Sequence, residues 1–132
     1  MFTQDQITNY IAYFSDETKV LFSLAHTEKR EDGVLRLGHP AYDKGVHQFV
    51  DDFYKSDLID RDYIDHLDKV CVHGLTPVDL IESADYPLLK SILTNYIRSE
   101  RFCDGAWIEA IENKIFMRIL ERLKELVKSQ EI

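Results

Sequence analysis

The residues with the most reactive chemistry in this sequence are concentrated in one short turn between two apolar helical patterns. The turn, residues 101 to 105, reads Arg-Phe-Cys-Asp-Gly. A thiol beside the N-terminus of a helix loses its proton more easily, because the helix dipole and nearby arginines stabilise the thiolate. Cys103 is therefore a candidate nucleophile. The candidates for binding a ligand beside it are Arg98, Arg101, Asp104 and Trp107.

A structural interpretation of the same turn requires fewer assumptions and is favoured. The adjacent charge of Asp104 opposes formation of a Cys103 thiolate, and no histidine is close in sequence to act as a base. An unpaired cysteine commonly behaves as a small buried apolar residue. Arg101 near a helix end can satisfy backbone carbonyls, and Trp107 suits a core or a corner. The sequence therefore identifies no definite catalytic residue.

A metal site is the next possibility raised by residue types. His39, Asp43 and His47 are spaced by four, and Cys71 and His73 form a second potential pair. Asp43, however, has the position of a helix cap, which would leave His39 before the helix and off its face. The zinc patterns His-Glu-x-x-His and paired Cys-x-x-Cys are missing, as are the phosphate-binding and hydrolase motifs. We expect no metal and no cofactor.

Acidic residues are concentrated in the middle of the chain. Within this segment, Asp60-x-Asp62 begins like a calcium loop, but the glycine and the terminal glutamate of such a loop are missing. The acids of the segment are best interpreted as the solvated faces of two helices, with an acidic surface for a basic protein partner as the alternative. Mimicry of nucleic acid would require one continuous stripe. The aspartates are Asp51, Asp52, Asp57, Asp60, Asp62, Asp65 and Asp68.

Composition narrows the class of protein. The 132 residues have the length of a single domain, with 45% hydrophobic and 30% charged residues, as in ordinary globular proteins. The net charge of −8 argues against binding to nucleic acid or to an anionic membrane surface. Two cysteines and no apolar leader after Met1 predict a cytoplasmic location, and no apolar run is long enough to span a membrane.

The N-terminal half predicts one helix and then an extended element. Thr3 and Gln6 have capping-box spacing, and apolar residues at helical spacing then predict a helix over about residues 4–14. Near residues 19–38 the short β-branched stretches around a Glu-Asp-Gly turn signal favour a small hairpin or extended segment. A helix over residues 16–30 is the alternative.

The remainder predicts a helical bundle. Asp43, Thr76, Asp85 and Asp104 are candidate N-caps. The second helix of this region should turn its apolar residues inward and end at Gly74. Residues 105–128 form either one helix or two that are broken near position 113. The residues expected inward on that second helix are Tyr63, Ile64, Leu67, Val70 and Cys71.

The predicted fold class is a mainly α, compact single-domain bundle of six or seven helices over residues 1–132. We expect its core to consist of the helices at 85–100 and 114–128, packed on the helix that starts after Asp43. The last of these has an apolar face wide enough either for a central core helix or for the seam of a homodimer.

Three segments together resemble a known family: residues 42–49, residues 88–105 and residues 112–126. The family consists of small bacterial proteins and is catalogued as a domain of unknown function, number six-five-zero-eight. Its Arg-Phe-Cys-acid-Gly motif is matched in full at residues 101–105, and the resemblance covers about residues 35–127. Relatives tend to have glycine near position 114, where this chain has Asn113-Lys114. The resemblance implies a domain extent but no activity, substrate or cofactor.

Two hypotheses about the function remain, and a structure can help to distinguish them. The leading hypothesis is a non-catalytic, cytoplasmic accessory protein that acts through protein–protein contact, because the sequence combines an acidic surface with no catalytic constellation. The alternative is an enzyme or small-ligand binder with its site at the helix corner from Arg98 to Trp107. That alternative requires several of the corner side chains to converge on one concave site.

Overall fold

The structure of the chain is a computed structural model that describes residues 2–16, 20–24, 28–29, 35–36, 40–103 and 105–129. Within these ranges the protein contains six α-helices, one 3₁₀ helix and four short strands, which confirms the mainly α bundle. The helices are α1 (Gln4–Ser15), α2 (Lys44–Lys55), α3 (Tyr63–Val70), the 3₁₀ helix (Pro77–Ser83), α4 (Tyr86–Ser99), α5 (Ala106–Glu112) and α6 (Ile115–Ser129). No helix of the described part is long and apolar enough to cross a bilayer.

Helix α1 begins with the predicted capping box. The Gln6 N–H donates to Thr3 Oγ1 at 3.1 Å, and the Thr3 N–H donates to Gln6 Oε1 at 2.9 Å. Phe2 and Ile7, on either side of this cap, are both buried in the core. Helix α1 packs mainly on α6, a pairing of the two ends of the chain that the periodicity did not reveal.

The segment after α1 forms strands, and this excludes the alternative helix over residues 16–30. Strand β1 (Phe22–Leu24) pairs antiparallel with β4 (Pro40–Tyr42), and β2 (Glu28–Lys29) pairs antiparallel with β3 (Leu35–Arg36). The hairpin-like element therefore extends to residue 42, beyond the predicted limit of 38. It leads directly into Asp43, the N-cap of α2, whose side chain accepts a hydrogen bond from the Gly45 N–H at 3.3 Å.

Helix α3 and the turn after it correct two predictions. Ile64 is 58% exposed rather than inward-facing, since only Tyr63 and Leu67 of this short helix are buried. The helix ends with Cys71 as its C-cap, so Gly74 does not close it. Gly74 instead adopts a left-handed conformation, with φ of 81°, in the turn that follows. The 3₁₀ helix then begins as predicted, with a capping box after the turn.

Residues 105–128 form two helices. Gly105, with φ of 91°, occupies the N-cap position of α5, whereas Asp104, the predicted cap, lies outside the described residues. Helix α5 ends at Glu112, and the chain reverses through Lys114, whose φ is 58°. Of the two alternatives that the sequence left open, the structure shows the break near position 113, with Lys114 as the left-handed residue.

Helix α6 is the centre of the core. Its apolar face is buried against α1, α4, α5 and the 3₁₀ helix, so this face serves the interior of the chain. The rings of Phe14, Phe49 and Phe116 meet pairwise at centroid distances of 5.1, 5.7 and 5.4 Å and thereby join α1, α2 and α6. The fully or nearly fully buried side chains of α6 are Ile115, Phe116, Ile119, Leu120, Leu123 and Val127.

Candidate functional site

The corner between α4 and α5 is organised by a glutamate that the sequence analysis did not single out. The Glu100 carboxylate accepts hydrogen bonds from the Gly105 N–H at 2.7 and 3.1 Å and from the Trp107 N–H at 3.5 Å. It also accepts one from the Tyr42 hydroxyl, with Oε2 at 2.9 Å. An anion at this point satisfies the free N–H groups and the dipole at the start of α5. Glu100 therefore ties together α4, α5 and strand β4.

Trp107 belongs to this same structural assembly. Its indole N–H donates to the Ile97 carbonyl at 2.9 Å. Its ring lies 5.1 Å from the ring of Tyr42 and 6.3 Å from that of His47, measured between centroids. The side chain is half-buried at the junction of α2, α4 and α5. Its contacts account for a tryptophan at this position without a ligand.

The two arginines of the corner are directed to different aromatic rings. The Arg98 guanidinium lies 5.7 Å from the centroid of Tyr63, and that of Arg101 lies 5.7 Å from the centroid of Tyr54. Such contacts are cation–π interactions. Arg98 Nε is buried and has no hydrogen-bond partner among the described residues. Arg98 thus connects α4 to α3, and Arg101 connects the turn after α4 to α2.

Cys103 lies exposed at the tip of the corner. Its N–H donates to the Ser99 carbonyl at 3.0 Å, and its carbonyl accepts from the Ala106 N–H at 3.1 Å, so backbone hydrogen bonds fix the turn on both sides. The neighbouring Phe102 is 81% exposed. With Asp104 outside the described residues, the remaining predicted site residues Arg98, Arg101, Cys103 and Trp107 have separate surroundings. None of the four lines the cleft described next.

A cleft of about 510 Å³ opens on another face of the same helix pair, and we call it the α4–α5 cleft. The small residues Ala106 and Ala110 on α5 leave this space, and Val78 and Ile115 supply apolar surface. Its polar lining comes from α4, from α5 and the turn after it, and from α6. The lining residues are Val78, Asn95, Tyr96, Ser99, Ala106, Glu109, Ala110, Asn113, Ile115 and Arg118.

Arg118, a charged residue of the cleft lining, already has a partner outside the lining. Arg118 is held by Glu82 through two hydrogen bonds, Nε to Oε1 at 2.7 Å and Nη2 to Oε2 at 2.8 Å. Its Nη2 also donates to the Val78 carbonyl at 3.2 Å. The hydrogen bond from Arg118 lowers the pKa of Glu82. Burial raises the pKa of Tyr96 to about 12, so its hydroxyl stays protonated at neutral pH.

A serine, a histidine and an aspartate form a cluster between α3 and α4. The spacing of these residues in the sequence did not predict this cluster. His66 Nδ1 lies 2.6 Å from Ser91 Oγ, and Ser91 donates to the Asp60 carboxylate. Ser91 also lies 3.3 Å from the Pro87 carbonyl, and its side chain is fully buried. In a hydrolase triad the histidine stands between the other two groups and the serine faces substrate. Here the serine is in the middle and enclosed, so the cluster fastens α3 to α4.

The other sequence-predicted sites separate in space. Among the described residues, no group of three histidine, cysteine or acidic side chains could hold a metal ion. Asp43 caps α2 and accepts a hydrogen bond from Tyr13, whereas His39 lies outside the described residues. Members of the acidic segment are drawn to different partners: Asp52 accepts from Tyr10 and Asp60 from Ser91. The side chains of the other five aspartates of the segment are exposed: Asp51, Asp57, Asp62, Asp65 and Asp68.

The fold defines a mainly helical domain in which a glutamate caps the corner between α4 and α5 and a polar cleft lies between these helices and α6. The chain belongs to a family of unknown function (DUF6508), whose sequence model matches residues 2–129. The match includes the N-terminal helix, which the resemblance over residues 35–127 had left out. No curated protein and no solved structure matches the chain.

Proposed function

We propose that this chain is a non-catalytic binding protein of the cytoplasm that recognises a partner protein through the α4–α5 cleft. The observation that carries the proposal is the cleft itself. Its volume of about 510 Å³ is within the range of pockets that take up ligands, and it combines an apolar floor of buried or half-buried residues with a polar rim that is partly exposed. Because it is partly open to solvent, a segment of another protein can lie in it. Protein interfaces show the same arrangement of an apolar centre and a polar border.

Two observations favour binding over catalysis. Ser91 is within hydrogen-bond reach of both His66 and Asp60, which lie 3.8 Å from each other, but Ser91 is fully buried and inaccessible to substrate. At the corner, Trp107 and Glu100 are engaged in closing the turn between α4 and α5. The side chains of these two clusters are therefore used by the fold, and none of them lines the cleft that we propose for a partner.

The proposal is tested by selecting displayed random peptides on the folded protein and comparing three versions of the target. Ala106→Leu fills the cleft from its half-buried wall, whereas Ala12→Leu makes the same change on the exposed face of α1. Circular dichroism and thermal unfolding establish that both variants are folded. We expect peptides that bind the wild type and Ala12→Leu but lose at least about tenfold in affinity for Ala106→Leu. Peptides that bind all three equally, or no selected peptides, would overturn the proposal.

A further inference from the structure

We infer that the α4–α5 cleft receives a basic side chain, a lysine ammonium or an arginine guanidinium, from an exposed segment of the partner protein. The inference rests on the proposed function and adds the chemistry of recognition. It follows from the charges, the aromatic wall and the apolar floor that meet in the cleft.

The charge around the cleft is negative. Glu109 is the acidic residue in the described lining of the cleft, and the carboxylates of Asp79 and Glu82, outside the lining, are close enough to act electrostatically on Tyr96 or Arg118. Against these three stands the guanidinium of Arg118, which is already committed to Glu82 at an Nη2–Oε1 distance of 2.6 Å. Lys114, although next to Asn113 in sequence, is exposed and is not part of the lining. Because Arg118 is paired with Glu82, a cation that enters the cleft meets the carboxylate of Glu109, with that of Asp79 nearby.

The lining supplies the groups that a basic side chain needs. Glu109 offers a carboxylate for a charge-assisted hydrogen bond, and Tyr96 offers an aromatic ring that remains uncharged. The amide oxygens of Asn95 and Asn113 are further acceptors for its N–H groups. The methylene stems of lysine and arginine favour apolar surface, which Val78, Ala110 and Ile115 provide on the floor.

The charge of the whole chain acts in the same direction. A net charge of −8 attracts basic segments and accelerates their encounter, with a strong dependence on salt. Long-range attraction alone would not select one position in a bound peptide. The cleft adds that selection, because a single side chain must fit beside Glu109 and Tyr96.

The test uses the peptides whose binding depends on the cleft, together with two glutamate variants of the protein. Glu109→Gln removes the charge that lines the cleft, and Glu112→Gln removes a charge from the same helix outside the lining. We expect each cleft-dependent peptide to contain one lysine or arginine whose replacement by glutamine weakens binding about tenfold. Glu109→Gln should weaken binding by roughly fivefold, and Glu112→Gln by less than about twofold, in calorimetric titrations at fixed salt.

The outcomes separate the two proposals. Cleft-dependent peptides that lack a critical basic residue, or that bind Glu109→Gln and the wild type equally, would overturn this inference and leave the proposed function standing. Failure to find any cleft-dependent peptide would overturn both. Spermidine tests whether a free amine binds in the same way. If it binds as tightly as the peptides do, the assignment of the basic group to a partner protein would be overturned.

Discussion

The Glu100 carboxylate lies 2.7 Å from the Gly105 backbone nitrogen, so the residue that ends α4 also caps the start of α5. A seven-residue helix has little stability of its own, and its free N–H groups need a partner. The capping carboxylate belongs to Glu100, five residues before Gly105, and it spans the turn to reach the start of α5. The local geometry of the corner therefore depends on one carboxylate rather than on a side chain in the usual N-cap position.

Replacing Glu100 with glutamine should destabilise the protein by about 1 kcal/mol, because the change removes the negative charge at the start of α5. Glu100→Ala should cost about 2 kcal/mol, since it also removes the hydrogen-bond acceptor. Urea unfolding followed by the fluorescence of Trp107, the single tryptophan of the chain, measures both. Glu112→Gln at the other end of α5 is the control and should be neutral or slightly stabilising, because a negative charge is unfavourable there. Equal effects at both ends would contradict the capping role.

Gly45 is required by the close approach of Tyr13 on α1 to α2. A Cβ atom at position 45 would collide with the end of the Tyr13 ring and its hydroxyl. We expect Gly45→Ala to destabilise by about 1–3 kcal/mol through this collision. Helix propensity alone predicts the opposite sign, a gain of about 1 kcal/mol.

A double-mutant cycle with Tyr13→Ala isolates the contact. With the ring removed, the same Gly45→Ala change should become neutral or stabilising in thermal and urea unfolding. If the cost of Gly45→Ala is undiminished without the ring, the collision is not its cause.

The parts of this fold that the sequence predicted well are local. A helix cap is determined by three or four consecutive residues, so Thr3 with Gln6, Thr76 with Asp79, and Asp85 could be recognised from spacing alone. Each of these hydrogen bonds joins residues that the chain already holds close together. Tertiary packing changes their environment but not their geometry.

The parts that were missed are long-range. Tyr42 and Glu100 are 58 positions apart, and nothing in either segment indicates that a strand end will reach the corner. The only available signal for the Ser91 cluster was a polar residue at an apolar position of α4, which requires a buried hydrogen-bond partner without naming it. The cleft depends on how α4, α5 and α6 separate, and Ala106 and Ala110 by themselves are ordinary helix residues.

Lys114 occupies a left-handed conformation that is unfavourable for a side chain with a Cβ atom, at φ of 58°. We expect Lys114→Gly to stabilise the protein by up to about 1 kcal/mol, because glycine adopts this conformation without steric cost. Asn113→Gly is the matched control, since Asn113 has φ of −87° and gains nothing from the change. Thermal unfolding of the two variants should show midpoints that move in opposite directions. A loss of stability in Lys114→Gly would contradict the inference that the backbone of Lys114 is strained.

The two cysteines should differ in their reaction with a small alkylating agent. Cys103 is exposed, whereas Cys71 is half-buried, and burial together with the charges of Asp68 and Asp79 raises the pKa of the Cys71 thiol. We expect Cys103 to be labelled faster at pH 8 on the folded protein, and the difference to disappear on denaturation. Mass spectrometry of each cysteine peptide measures the rates. Equal rates in the folded state would contradict the burial of Cys71, and the faster rate at Cys103 follows from exposure without an active site.

The Asp60 carboxylate should contribute to acid sensitivity. Burial opposes its charge, but hydrogen bonds from Ser91 and the Asp62 N–H, with the charges of His66 and Lys90, lower its pKa below the ordinary value. A carboxylate with a lowered folded pKa stabilises the protein above its unfolded pKa of about 3.9, and this stabilisation is lost as the pH falls through the folded value. Asp60→Asn should therefore be less stable than the wild type at pH 6.

That difference should shrink as the medium becomes more acidic, because protonation removes the advantage of the native carboxylate. Urea unfolding at a series of pH values from 6 downward measures it. Asp62→Asn, on an exposed side chain, is the matched control and should cost less at pH 6. Ser91→Ala should also cost about 1–3 kcal/mol, since it leaves the polar groups around a fully buried hydroxyl without their shared partner. A constant difference between Asp60→Asn and the wild type at all pH values would show that the hydrogen bond from Ser91 does not favour the charged carboxylate.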